Sequence, residues 1–182
     1  MLLFTQNLGA SLATSILYPN GDGTHTGTIG GTSGPPYYTN VDEGTDSPND
    51  SDAVIFSSSG AIFACDLTDT PADTNTITAV AIKVRTADSS KGRAITSARI
   101  YQSDQTTALT AAATITGSTT ITTYTLNPSI TGATTKTAWD GARLLITATG
   151  SSGSANLYAA QVEITYTTAS GTVQTASFMI GT

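Results

Sequence analysis

Side chains that form metal centres and disulfides are nearly missing from this sequence: one cysteine, Cys65, and one histidine, His25, stand among 182 residues. A single thiol excludes an intramolecular disulfide, and the two residues together exclude a multi-Cys or multi-His metal site within one chain. Charge is also scarce, at 11% Asp, Glu, Lys and Arg, against about a quarter in ordinary soluble domains. The net charge of −6 offers no basic footprint for nucleic acid. No apolar run approaches the roughly 18–20 residues that a membrane-spanning helix needs. The opening Met1-Leu-Leu-Phe-Thr-Gln-Asn7 lacks the basic start and continuous apolar stretch of a signal peptide. A soluble protein made in a cytoplasm, with no membrane partner, is the expectation.

What fills the chain instead is threonine, about a fifth of all residues, well above its usual share. Threonine is β-branched, so it favours extended backbone while offering a hydroxyl to water. Apolar and polar residues alternate in Thr76-Ile-Thr-Ala-Val-Ala-Ile-Lys-Val-Arg-Thr86, with Val80, Ile82 and Val84 on one side and Ala81, Lys83 and Arg85 on the other. That period of two predicts a half-buried strand. Further strands are predicted at 94–101, 142–149 and 156–166, and a hairpin from 110–116 and 119–126 around Gly117-Ser118. Cys65, within Ala61-Ile-Phe-Ala-Cys-Asp-Leu67, reads as a small buried hydrophobe. Many short strands separated by Gly, Asn, Ser and Pro turns predict an all-β, jelly-roll-like antiparallel β-sandwich. Its expected span is 16–166, after an amino-terminal arm over 1–15 and before a carboxy-terminal extension over 167–182. Residues 20–52, rich in Gly, Pro, Asn and Asp, predict long connecting loops with short strands. Thr172-Val-Gln-Thr-Ala-Ser-Phe-Met-Ile180 reads as one further strand.

The charges are unevenly placed. Nine carboxylates and no Lys or Arg precede Lys83; seven basic and four acidic residues follow from there. An acidic face could meet a basic one between neighbouring copies, or the first part is simply an acidic loop region. Within it, Asp42, Glu43, Asp46, Asp50 and Asp52 supply hard oxygen ligands of the kind calcium takes, though without EF-hand spacing; the simpler reading is that these residues cap turns and keep an exposed loop soluble. No other cofactor is indicated. A catalytic triad would have to use His25, and no Gly-x-Ser-x-Gly elbow accompanies it. Gly30-Gly-Thr-Ser-Gly34 lacks the Lys of a phosphate loop. A carboxylate pair for glycoside hydrolysis has only two Glu to draw on, and Glu163 sits in an alternating strand that turns it to solvent. A non-enzymatic protein is therefore expected. Trp139 suits core packing better than a sugar platform. Tyr37 and Tyr38, beside Pro35-Pro36, are candidate interface anchors, as are Val173, Phe178, Met179 and Ile180 in the last strand.

The order of several short motifs carries a resemblance. Tyr18-Pro-Asn-Gly-Asp-Gly-Thr-His-Thr-Gly27 comes first, then Tyr38-Thr-Asn-Val-Asp-Glu43 and Asp50-Ser-Asp-Ala-Val-Ile55. Ile77-Thr-Ala-Val-Ala-Ile-Lys-Val-Arg85, Ala138-Trp139 and Gln161-Val-Glu-Ile-Thr-Tyr166 follow. Over about residues 16–166 this resembles β-sandwich structural proteins in the virions of tailed bacteriophages, including cyanophages and many environmental phages. The resemblance implies a non-enzymatic virion component, most simply a capsid decoration (cement) protein. As the resemblance implies, it would form trimers on the capsid surface and have the major capsid protein as partner. A receptor- or glycan-binding module at a tail tip or fibre is the alternative. The segment after Tyr166 lies outside the pattern.

Overall fold

The computed structural model describes residues 9–168. Its strands, in chain order, are β1 (Leu12–Leu17), β2 (Pro19–Asp22), β3 (Ile29–Gly31), β4 (Val54–Phe56), β5 (Ala61–Leu67) and β6 (Thr74–Ala87), followed by β7 (Arg93–Tyr101), β8 (Ala113–Thr114), β9 (Thr122–Leu126), β10 (Arg143–Gly150) and β11 (Ala155–Thr168). Among the described residues, helical structure is confined to a 3-10 turn at Tyr37–Asn40 and one α-helical turn, α1, at Lys136–Trp139. No helix among the described residues is long and apolar enough to cross a membrane.

The strands form two antiparallel sheets, ordered β3-β4-β11-β6-β9 and β2-β5-β10-β7-β8, with β1 paired to β11 in the first. The chain is thus the all-β sandwich its alternation predicts. Val80, Ile82 and Val84 of β6 turn inward with Val162 and Ile164 of β11, and meet Phe63, Ile95, Ile100, Leu144 and Ile146 of the facing sheet. Lys83, Arg85 and Glu163 stay on the outer side. Cys65 lies in this core, where burial pushes its thiol pKa up and its S–H reaches the Leu144 carbonyl at 3.8 Å.

β11 organises the first sheet. One of its edges pairs with β6 along nearly its whole length. The other carries β1 and β4 end to end, with Leu17 opposite Val162 and Val54 opposite Leu157. Between them the Ala160 N–H donates to the Val41 carbonyl at 3.2 Å, so a loop completes the edge. Since β1 runs over 12–17 and β11 to Thr168, sheet pairing extends a few residues beyond each end of 16–166.

The hairpin expected from 110–116 and 119–126 does not form. β8 pairs with β7 in one sheet, and β9 pairs with β6 in the other. The segment between β8 and β9, with its bend at Thr119-Thr120, instead carries the chain across the sandwich. The Ile115 N–H reaches Thr96 in the second sheet at 2.9 Å, and the Ser118 carbonyl accepts the Asp88 N–H at 2.7 Å. Ile115 is buried at the crossing.

Candidate functional site

The irregular stretch between β2 and β4 is folded back on the sandwich by its own polar groups. Asp50 of the acidic cluster forms a two-pronged ion pair with Arg85 on the outer face of β6, both N–O distances being 2.6 Å. That pairing holds the Asp50 carboxyl below its usual pKa. Next to it on β11, the buried Gln161 accepts the Thr45 N–H at 2.7 Å through Oε1. Gly44 adopts φ +74°, and a Cβ there would stand 2.6 Å from Gln161 Oε1 and 2.7 Å from a ring carbon of Tyr18. Only glycine combines that conformation with so close an approach.

The five acidic candidates are therefore not gathered round one point. Asp52 accepts from Asn49 at 2.7 Å and from Ser33 at 3.2 Å, while Asp50 serves Arg85. Partial burial, with the charges of Asp42 and Asp52, raises the Glu43 pKa. Asp46 is exposed. Among the described residues no three His, Cys, Asp or Glu groups converge as a metal site would need. The uneven charge distribution is partly resolved inside the chain: early acids meet late bases at Asp50–Arg85 and Asp66–Arg143, the latter at 2.5 Å.

A second polar cluster fixes the two candidate tyrosines. The Asp22 carboxylate at the end of β2 accepts the backbone N–H groups of Tyr37 and Tyr38, each at 2.8 Å. Asn40, fully buried, uses all four of its hydrogen-bonding positions. Its Oδ1 accepts from Thr32 Oγ1 (3.1 Å) and the Ser33 N–H (3.0 Å); its Nδ2 donates to the carbonyls of Gly34 (3.3 Å) and Tyr37 (3.2 Å). Thr32 Oγ1 in turn accepts the Ala53 N–H at 2.8 Å, anchoring the loop at the start of β4. Tyr37 and Tyr38 pack half-buried against the core, next to exposed Pro35 and Pro36. The loop is a pre-organised aromatic and proline surface whose rigidity comes from buried polar groups.

His25 stands behind it. Its ring stacks on Phe63 at 5.3 Å and meets Tyr37 edge-on at 5.4 Å. Nδ1 accepts the Ala64 N–H at 3.1 Å, which places the ring proton of the neutral form on Nε2. Nε2 is buried without a hydrogen-bond partner among the described residues, 3.7 Å from Asp22. Desolvation outweighs the attraction of Asp22 and lowers the His25 pKa. The unfolded chain therefore binds a proton near the ordinary value of about 6.5 that the folded chain refuses, and stability falls as pH drops below it. Between pH 7.5 and 5.5 the melting temperature of the wild type is expected to fall more steeply than that of His25→Gln. Parallel pH profiles of the two proteins would refute the assignment.

Trp139 ends α1 and is fully buried, its indole N–H donating to the Ala133 carbonyl at 2.8 Å. It presents no face to a sugar. α1 is closed by Lys136 and Asp140, 2.8 Å apart, with Thr70 donating to the same carboxylate at 2.6 Å. Glu163 pairs with Lys83 at 3.1 Å on the outer face. Val173, Phe178, Met179 and Ile180 lie outside the described residues. Sequence reasoning missed Asn40 and Gln161 as structural centres, and it met Asp22 only as one residue of the Tyr18–Gly27 motif. No local pattern marks a buried amide whose partners are other loop atoms.

Fold and loop together define a β-sandwich module with a rigid aromatic loop on one flank. No protein-family model matches the sequence, and no curated protein matches it. Among solved structures, the chain is similar to the enzymatically active domain of tailspike protein 4 of bacteriophage CBA120, at 14% identity and TM-score 0.44 over 83% of this chain and 19% of that one. It is also similar to an isomalto-dextranase of Arthrobacter globiformis, at 14% identity and TM-score 0.46, covering 83% of this chain and 23% of that one. A family 6 carbohydrate-binding module from Clostridium cellulolyticum matches at 15% identity and TM-score 0.41, over 85% of this chain and 97% of the module. The chain thus spans less than a quarter of the first two. Likeness at this level assigns no ligand or activity.

Proposed function

We propose that the chain is a non-catalytic structural module of a tailed-phage virion, a decoration protein that docks on the major capsid protein through the 35–38 loop. The motif order from Tyr18 to Tyr166 supports the virion setting. The observation that carries the docking role is the double hydrogen bond from the Tyr37 and Tyr38 N–H groups to Asp22, backed by the saturated Asn40 network. A loop fixed before contact loses little conformational entropy on binding, and tyrosine beside proline gives a large, stiff contact surface.

The test is the copy number in purified particles, measured by quantitative mass spectrometry against the major capsid protein. Hundreds of copies are expected, together with at least a ten-fold loss of affinity for particles in Tyr38→Ala, about 1.4 kcal/mol. Absence from particles would sink the reading.

A glycan-binding module of a tail tip is the second reading, favoured by the same partly exposed pair of rings. It predicts a handful of copies per particle and a sugar affinity that Tyr38→Ala abolishes. Trp139, being enclosed, has no part in either reading.

A further inference from the structure

Edge strands in natural sheets are guarded against pairing by charge, proline, bulges or shortness. In this sandwich β2 contains Pro19, β3 is three residues long with two glycines, and β8 is two residues long. β9 turns only threonines outward, and its Thr123 is engaged by Arg85 at 3.3 Å. β1 has none of these guards. It is the longest edge strand among the described residues, Leu-Ala-Thr-Ser-Ile-Leu, and no charged residue occurs in the chain before Asp22. It also holds Leu12, the large hydrophobic side chain left exposed on the described surface, at 70%.

The pairing of β1 with β11 determines what its other edge offers. The Thr168 N–H donates to the Ser11 carbonyl at 2.9 Å, and the register continues Leu12 opposite Thr167 and Thr14 opposite Thr165. In an antiparallel ladder, backbone groups point alternately toward and away from the partner. The N–H and C=O groups of Ser11, Ala13, Ser15 and Leu17 therefore face β11, and those of Leu12, Thr14 and Ile16 face away. Tyr18, next in that second series, confirms the parity, since its carbonyl accepts the Thr68 N–H at 2.9 Å on the far side. Among the described residues nothing pairs with the outward groups of Leu12, Thr14 and Ile16. The side chains of the same three residues lie on the outer face of the sheet, beside Thr167, Thr165 and Glu163.

We propose that this edge binds a second copy of the chain, β1 against β1, antiparallel about a two-fold axis at Thr14. Centred there, three N–H groups of each copy meet carbonyls of the other, and Leu12 falls opposite Ile16 of the second copy on both sides of the axis. Thr14 faces its own counterpart, a favourable hydroxyl pair. Centring between Thr14 and Ser15 would instead set outward Leu12 against inward Leu17, so side-chain and backbone parity both select the residue-centred register. The absence of charge in β1 removes the repulsion that two identical strands otherwise meet. This two-fold contact differs from the trimer implied by the phage resemblance, and it requires no capsid.

The test is the solution mass of the full chain by native mass spectrometry and light scattering, with two variants. The wild type is expected as a dimer and Thr14→Pro as a folded monomer, half the mass. Proline is tolerated where an edge N–H faces away from its own sheet. Should Thr14→Pro fail to fold, Thr14→Lys places two ammonium groups across the axis and is expected to give the same monomer. Thr14→Cys is expected to form a disulfide-linked dimer on mild oxidation, since an axial hydrogen-bonded pair sets the Cα atoms about 5.5 Å apart. Cys65, being enclosed, does not compete. A monomeric wild type overturns the proposal, whether the edge is bare or covered by the chain's own residues 169–182. An oligomer that survives both Thr14→Pro and Thr14→Lys overturns it equally.

Discussion

Trp139→Ala is expected to cost about 3 to 5 kcal/mol of stability, the usual range for deleting a buried tryptophan. For a domain of this size that lowers the melting temperature by roughly 10 °C or more. Trp139 is the largest fully buried side chain, and it closes the gap between α1 and the β6 end of the sandwich. Its removal leaves a cavity in the core cluster and strips the Ala133 carbonyl of its donor. Trp139→Phe separates the two effects by keeping most of the volume while losing the hydrogen bond, and about half the loss or less is expected. Denaturant titrations followed by circular dichroism measure both. A cost under about 1 kcal/mol for Trp139→Ala would show that the ring's burial adds little.

The second large effect is expected from Asn40→Ala, and it takes a different form. The substitution removes four hydrogen bonds at once. At about 0.5–1.5 kcal/mol for each bond, with part of the loss recovered from water, the expected cost is about 2 to 4 kcal/mol. The damage should be local, because the bonds run within 32–40 and not between the sheets. Hydrogen exchange is the discriminating measurement: amides over 32–41 are expected to exchange at least ten-fold faster, while those of β6 and β11 keep their protection. Particle binding should fall with Asn40→Ala as it does with Tyr38→Ala, although Asn40 is buried and cannot itself contact a partner. Unchanged exchange in the loop would mean that Asp22 alone holds the tyrosines in place.

The long strands were legible in the sequence where alternation is strong and inner residues are large: β6 and β10 carry Val, Ile or Leu at every second position over 80–84 and 144–146, whereas β7 and β11 keep the pattern only on either side of a register shift. The crossover after β8 was not legible. Threonine-rich strands carry alternation too weak to choose a sheet, and the choice is made by Thr96 and Asp88, both distant in sequence from the backbone groups they bind. The acidic loop illustrates the same limit from the side of charge. Asp42 to Asp52 reads as a ligand cluster when only neighbours are counted, yet Asp50 finds Arg85 across 35 positions of sequence. Tyr37 and Tyr38 could be singled out by residue type; what holds them, Asp22 and Asn40, could not, since a half-buried carboxylate and a buried amide in a polar loop look like any others until the loop closes.

The pairing of β1 with β11 brings the two ends of the sandwich to one point. Ser11 and Thr168 are joined there by a backbone bond of 2.9 Å and hydroxyl contacts of 3.1 and 3.3 Å. Mechanically, that makes the module a clasp. Tension applied between the two ends would part Ser11 from Thr168 first and then run down the ladder, rung by rung, so that the clasp unzips at low force. Tension between the joined ends and the 35–38 loop would instead bear on β11 lengthwise, loading together the rungs it shares with β4 and the Ala160–Val41 bond, the direction in which a sheet resists best.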